Sequence, residues 1–104
     1  MDVLLVFSTF PDADTARQIG TMLVESQLAA CVNLIPAVES IYRWEGKVQR
    51  DAEVLAIIKT APQGLAALEQ RLKEAHPYDT PEIVALKPEA VEARYGAWVR
   101  AAVG

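Results

Sequence analysis

From Val3 to Phe10 the chain is an almost unbroken run of β-branched and large apolar residues. That pattern predicts a strand at the centre of a sheet, covered on both faces. Pro11 ends it. Asp12 and Asp14 then offer oxygens suited to capping a helix, and Ala16, Ile19 and Leu23 recur at helical spacing, which predicts a first helix over 13–27. From Ala29 the chain turns β-rich through Cys31-Val32-Asn33-Leu34-Ile35, meets Pro36 and resumes to Trp44. Proline has no amide hydrogen to give to a ladder, so a bend or bulge is expected at Pro36. Glu45-Gly46 reads as a two-residue hairpin turn in which glycine supplies a positive φ, and a third strand follows over 47–60.

Pro62 suits the first turn of a second helix, whose stripe of Leu65, Leu68, Leu72 and Ala75 runs to His76. The segment His76-Pro77-Tyr78-Asp79-Thr80-Pro81 is expected to be an irregular, rigid loop, because each proline restricts the residue before it. A short strand over 82–86 and a closing helix marked by Val91, Tyr95, Trp98, Val99 and Ala102 complete the chain. Trp98 and Tyr95, at helical spacing, read as core. The order β-α-β-β-α-β plus a last helix predicts an α+β fold of the ferredoxin-like kind, with helices on one face of a four-stranded antiparallel sheet.

Strand length sharpens this picture. At ~3.3 Å per residue, Ala29 to Trp44 would span roughly 50 Å, whereas a domain of this size has a radius of gyration of about 13 Å. The second and third strands must therefore leave the body as a long hairpin arm. That arm would carry Ile41, Tyr42, Trp44, Val48 and Val54 into water with open edges, so another copy of the chain is expected to cover it.

Composition narrows the classes of function. A chain of 104 residues has room for one domain, 1–104, and 52% of it is hydrophobic. No apolar run reaches the ~18 residues needed to span a bilayer, so a soluble protein without membrane association is expected. The formal charge of −4 argues against nucleic acid as a partner, because counterion displacement needs a basic face. One cysteine permits no intramolecular disulfide, and the first residues lack a secretory leader, which together place the expectation in the cytoplasm.

Four separated segments resemble the CutA-type divalent-cation tolerance proteins. They are Leu28 to Pro36, Ser40 to Lys47, Ile58-Lys59-Thr60, and His76-Pro77-Tyr78-Asp79-Thr80-Pro81-Glu82. The resemblance implies a ferredoxin-like subunit that assembles as a homotrimer, its hairpins docking on neighbours, with a role in metal-ion response and a candidate ligand site in a cleft between subunits. No cofactor is required on this reading, and a divalent cation such as copper is the ligand it raises. Copper binding in such proteins has been attributed to a first-strand cysteine and a pair of histidines before the Pro-Tyr; this chain has Ser8 and Ala75-His76 there. One imidazole with a hydroxyl suits copper poorly.

Each candidate residue carries two readings. Cys31 is a small buried hydrophobe or a metal ligand. His76, the only histidine, either caps its helix end or reaches the cleft as a ligand to metal or small molecule. Tyr42 and Trp44 share one face of the arm and either pack as an aromatic pair in the trimer or stack on a ligand. Glu53 and Lys59 share a strand face with Leu55 and Ile57 between them, as an interfacial salt bridge or as cleft binding groups. Tyr78, braced by Pro77 and Pro81, is the foremost candidate for a ligand contact.

No nucleophile, base and orienting residue can be nominated, so no enzyme is expected. A ferredoxin-like hydrolase would want a glycine-rich anion loop with arginine after the first strand, and Ser8 to Asp12 has neither. A metallochaperone would need C-x-x-C in that loop. An RNA-binding sheet would need aromatic platforms, and Val54 to Ile58 offers none. A trimeric small-molecule-sensing regulator is the alternative that shares the expected assembly.

Overall fold

The computed structural model describes residues 2–104; Met1 lies outside the described residues. Its elements run β1 (Leu4–Phe10), α1 (Ala13–Glu25), β2 (Cys31–Trp44), β3 (Lys47–Thr60), α2 (Pro62–Ala75), β4 (Val84–Leu86) and α3 (Ala93–Ala102). The sheet order is β2-β3-β1-β4, and every neighbouring pair is antiparallel, so the ferredoxin-like arrangement expected from the element order is the one observed. Helix ends follow local chemistry. Asp12 accepts a hydrogen bond from the Thr15 amide at 2.7 Å, which holds its carboxyl below the usual range. Pro62 occupies the first turn of α2, and Glu92 caps α3 through the Tyr95 amide.

Alternation along the central strands defines two faces. Val6 and Phe10 of β1 with Val54, Ala56 and Ile58 of β3 are buried against Ala16, Ile19 and Leu23 of α1 and Leu68 and Leu72 of α2. A smaller cluster joins Val3, Ala30, Ala61, Val99 and Val103 where α3 and the C-terminus close one end of the sheet. The other face of β1 and β3, carrying Leu5, Phe7, Leu55 and Ile57, is only half-buried. Covering of β1 on both faces is therefore not what the single chain shows. Tyr95 and Trp98 also depart from the core reading. They are 41% and 51% exposed and lean on each other with ring centroids 5.7 Å apart, while α3 packs inward through Gly96 and Val99.

The arm is present. The molecule extends 44 × 26 × 22 Å with a radius of gyration of 14.1 Å, the excess length being the β2–β3 ribbon. Its turn has φ of 50° at Glu45 and 78° at Gly46, both left-handed, as a tight hairpin with the sheet's natural twist requires. Pairing is regular from Trp44↔Lys47 to Val38↔Glu53, then slips by one residue between Val38 and Ile35. The extra residue is accommodated at Pro36-Ala37, with Ala37 at φ 63°. Ile41, Tyr42, Trp44 and Val48 stand 61%, 41%, 53% and 61% exposed on this ribbon, whereas Val54, expected in water with them, is buried where β3 pairs with β1.

Candidate functional site

The bulge, the end of β1 and the loop after α2 converge at the root of the arm. β1 ends with Thr9 and Phe10, and Phe10 pairs with Val54 of β3. Just beyond Val54, Glu53 marks where the ribbon departs, opposite Val38. α2 ends at Ala75 with His76 at its cap position, and the 77–81 segment lies over this corner. Between loop and ribbon lies a cleft of about 770 Å³, walled by Thr9, Tyr42, Trp44, Asp51, Glu53 and Tyr78, with Asp79 and Glu82 at its side. Four carboxylates and no basic side chain line it, among the described residues.

Two phenol–carboxylate pairs organise the wall. Tyr78 Oη donates to Glu53 Oε2 at 2.6 Å, and Tyr42 Oη donates to Asp51 Oδ2. Desolvation, and then the Glu53 carboxylate, drive the Tyr78 phenol well above its ordinary value of 10, so it stays protonated as a donor. The Asp51 hydrogen bond raises Tyr42 in the same direction. Glu53 is half-buried, and no cation of the chain pairs with it or with Asp51 among the described residues.

His76 sits behind this wall rather than in it. Its Nε2 lies 2.8 Å from the Thr9 carbonyl oxygen, its Nδ1 accepts from the Tyr78 amide at 3.0 Å, and its ring stacks on Phe10 at 4.7 Å. Burial pulls its basicity below the usual imidazole value of 6.5, against opposing contributions from the Thr9 hydrogen bond and Glu53. In this arrangement both ring nitrogens have backbone partners, so the ring neither caps its helix nor presents a spare nitrogen to the cleft. Ser8 is sealed on the helix-facing side of β1, its Oγ buried without a hydrogen-bond partner among the described residues.

Cys31 and Lys59 stand elsewhere. They pair across β2 and β3, and Lys59 pairs in turn with Leu5 at the start of β1, five positions along the sheet from Phe10. At ~3.3 Å per residue that is roughly 17 Å from the cleft. Lys59 Nζ contacts Asn33 Oδ1 and lies 3.9 Å from Cys31 Sγ. Within one chain, then, His76 and Cys31 do not form a metal centre, and no group of three potential protein ligands does so among the described residues. Glu53 and Lys59 share a strand face but not a salt bridge. Tyr42 and Trp44 make no ring contact with each other; the phenol turns to Asp51 instead. Tyr78, Glu53, Tyr42 and Trp44 are brought together, whereas Lys59 and Cys31 are not.

Asp51, absent from the candidates read in the sequence, was within reach of sequence reasoning. A two-residue turn at Glu45-Gly46 fixes the ribbon's register, which pairs Ser40 with Asp51 and so puts Asp51 diagonally beside Tyr42. The Thr9 carbonyl had no such signal. As chemistry, the arrangement can hold a polar or cationic group against oxygen acceptors and aromatic rings. Among the described residues it assembles no nucleophile beside a free base.

Residues 4–102 match the family described as CutA1 divalent ion tolerance protein. The chain belongs to that family. It is similar to the divalent-cation tolerance protein CutA of Thermus thermophilus, 44% identical over 100 residues that cover 96% of this chain and 97% of the relative. It is also similar to human Protein CutA, 44% identical over 98 residues, and to the chloroplastic Protein CutA 1 of rice, 41% identical over 97. The matches cover 94% and 93% of this chain, which spans about half, 55%, of each of those two longer relatives. Among solved structures, the Thermus thermophilus protein superimposes with a TM-score of 0.95 at 43% identity, covering 98% of this chain and 99% of the other. CutA from Xylella fastidiosa gives 0.96 at 38% identity with 100% of both chains covered.

Proposed function

We propose that the chain acts as a homotrimeric, non-catalytic divalent-cation tolerance protein of the cytoplasm, and that the cleft at the root of the arm, completed by a neighbouring subunit, binds a small polar ligand. Family membership supplies the role in cation tolerance. The observation that carries the rest is the ribbon itself: two strands with Ile41, Trp44 and Val48 more than half exposed, leaving the body beside a cleft whose carboxylates pair with no cation among the described residues. Exposed apolar ribbons are seldom left unpaired.

A divalent cation is the other occupant this family suggests, and copper fits the residues present least well. Copper favours imidazole and thiolate, yet both nitrogens of His76 are engaged, Cys31 stands at the far end of the sheet, and Ser8 is sealed in the core. Oxygen acceptors beside aromatic rings favour a small-molecule-sensing role over copper storage. Neither an enzyme nor a nucleic-acid partner draws support from the cleft, which among the described residues holds no basic side chain and no nucleophile–base pair.

Sedimentation at micromolar concentration, followed by calorimetric titration with copper, zinc, small anions and small amines, tests the proposal. A trimer whose heats of binding are lost in Glu53→Gln is expected. A stable monomer would overturn the assembly, and heats equal in Glu53→Gln and the parent protein would remove the cleft from the account.

A further inference from the structure

His76 is 7% exposed, its imidazole held between the rings of Phe10 and Tyr78 with centroids 4.7 and 4.8 Å away. Its two backbone partners settle its state. The Thr9 carbonyl can only accept, so the Nε2 that lies 2.8 Å from it carries the proton. The Tyr78 amide can only donate, so the Nδ1 that lies 3.0 Å from it is bare. The ring is therefore neutral, with one nitrogen tied to β1 and the other to the loop. Tyr78 continues the connection, because its phenol donates to Glu53 on β3. Strand, imidazole, loop and carboxylate form one closed strap across the end of the sheet.

We propose that His76 is a positioning residue that, in its neutral form, latches the loop bearing Tyr78 onto the first strand, and that protonation of the ring opens this latch and loosens the Tyr78 wall of the cleft. An imidazolium has two donors and no acceptor, so whichever way the ring turns, it offers the Tyr78 amide nothing to donate to. An amide hydrogen in a part-buried site then loses its acceptor.

The surroundings set the direction of the response. β1 presents Thr9 and Phe10, neither of them titratable, β3 presents Glu53, and the loop presents the protonated phenol of Tyr78. On the ring's own helix, Lys73 and Glu74 are exposed, and Lys73 reaches Glu69 at the surface. Glu53 favours the imidazolium, but burial opposes it and is the larger influence, so the folded protein releases this proton more readily than the ordinary value of 6.5. With the folded value depressed, the unfolded chain takes up the proton first. The latch's contribution is complete above 6.5 and is lost as pH falls through the folded value.

Because the chain has one histidine, ring-¹⁵N-labelled histidine reports this site alone in the intact protein. The expected spectrum is the Nε2–H tautomer at neutral pH with a midpoint below 6.5. Hydrogen exchange at the Tyr78 amide is expected to lose protection by roughly tenfold with that same midpoint, as for the loss of one ordinary hydrogen bond. His76→Asn, whose Oδ1 can accept from the Tyr78 amide without titrating, is expected to keep the protection and flatten its pH dependence. The proposal falls if the ring is the Nδ1–H tautomer, or if Tyr78 protection stays constant while the imidazole titrates. Both wild-type readouts decide the matter even if the asparagine variant does not fold. Neither requires a ligand, so a failed latch leaves the ligand-binding reading of the cleft standing, and the reverse.

Discussion

Removing the phenol oxygen of Tyr78 probes the wall of the cleft most directly. Tyr78→Phe keeps the ring and its contact with His76 but deletes the 2.6 Å hydrogen bond to Glu53. A hydrogen bond to a charged group contributes about 1.5–3 kcal/mol net when buried. Both side chains here are half-buried, so water can partly replace the phenol, and the lower end applies. The expected loss is about 1.5 kcal/mol in urea unfolding, measured at fixed protein concentration because assembly shifts apparent stability. It should also be measured above the imidazole's titration range.

Glu53→Gln retains an acceptor but loses the charge. The double variant should therefore show a coupling of about 1 kcal/mol with Tyr78→Phe, which isolates the pair from any packing change. If Tyr78→Phe leaves stability unchanged and the coupling is zero, the phenol is not held against Glu53 in solution. The cleft would then have no fixed wall on its loop side.

Two further substitutions test the frame around the site. Alanine normally stabilises a helix over glycine by about 1 kcal/mol, but a Cβ at Gly64 of α2 would lie 2.7 Å from Val103 Cγ1 and 3.3 Å from Thr60 Oγ1. Gly64→Ala should thus destabilise by about 1–2 kcal/mol in the same assay, and Val103→Ala should relieve most of that loss; a stabilised single variant would refute the close approach. At the bulge, exposed Ala37 has φ 63°, so Ala37→Gly should stabilise slightly, by about 0.5 kcal/mol in the same unfolding assay, while Ala37→Val should destabilise by more than about 1 kcal/mol. Equal effects of the two would mean that Ala37 is not left-handed in solution.

What the sequence determined by itself is what short-range patterning encodes. An unbroken apolar run marked β1 as central, Asp12 and Pro62 marked helix starts, Glu45-Gly46 fixed the ribbon's register, and Pro36 located its bulge, each through local pattern or the conformational preference of the residue itself. Ribbon length followed from the same positions and required an arm. The tertiary structure decided the rest, because the outcome depended on partners distant in the chain. His76 and Thr9 are 67 residues apart, and their bond is what turns a candidate ligand into a buried ring with no nitrogen to spare. Cys31 and His76 both lay in recognisable motifs, yet the antiparallel register sets them at opposite ends of the sheet. Helical spacing made Tyr95 and Trp98 look like core, while the face that packs inward is set by Gly96 and Val99 against Val3 and Ala30. Periodicity tells which residues share a face, but only the packed chain decides what each face meets.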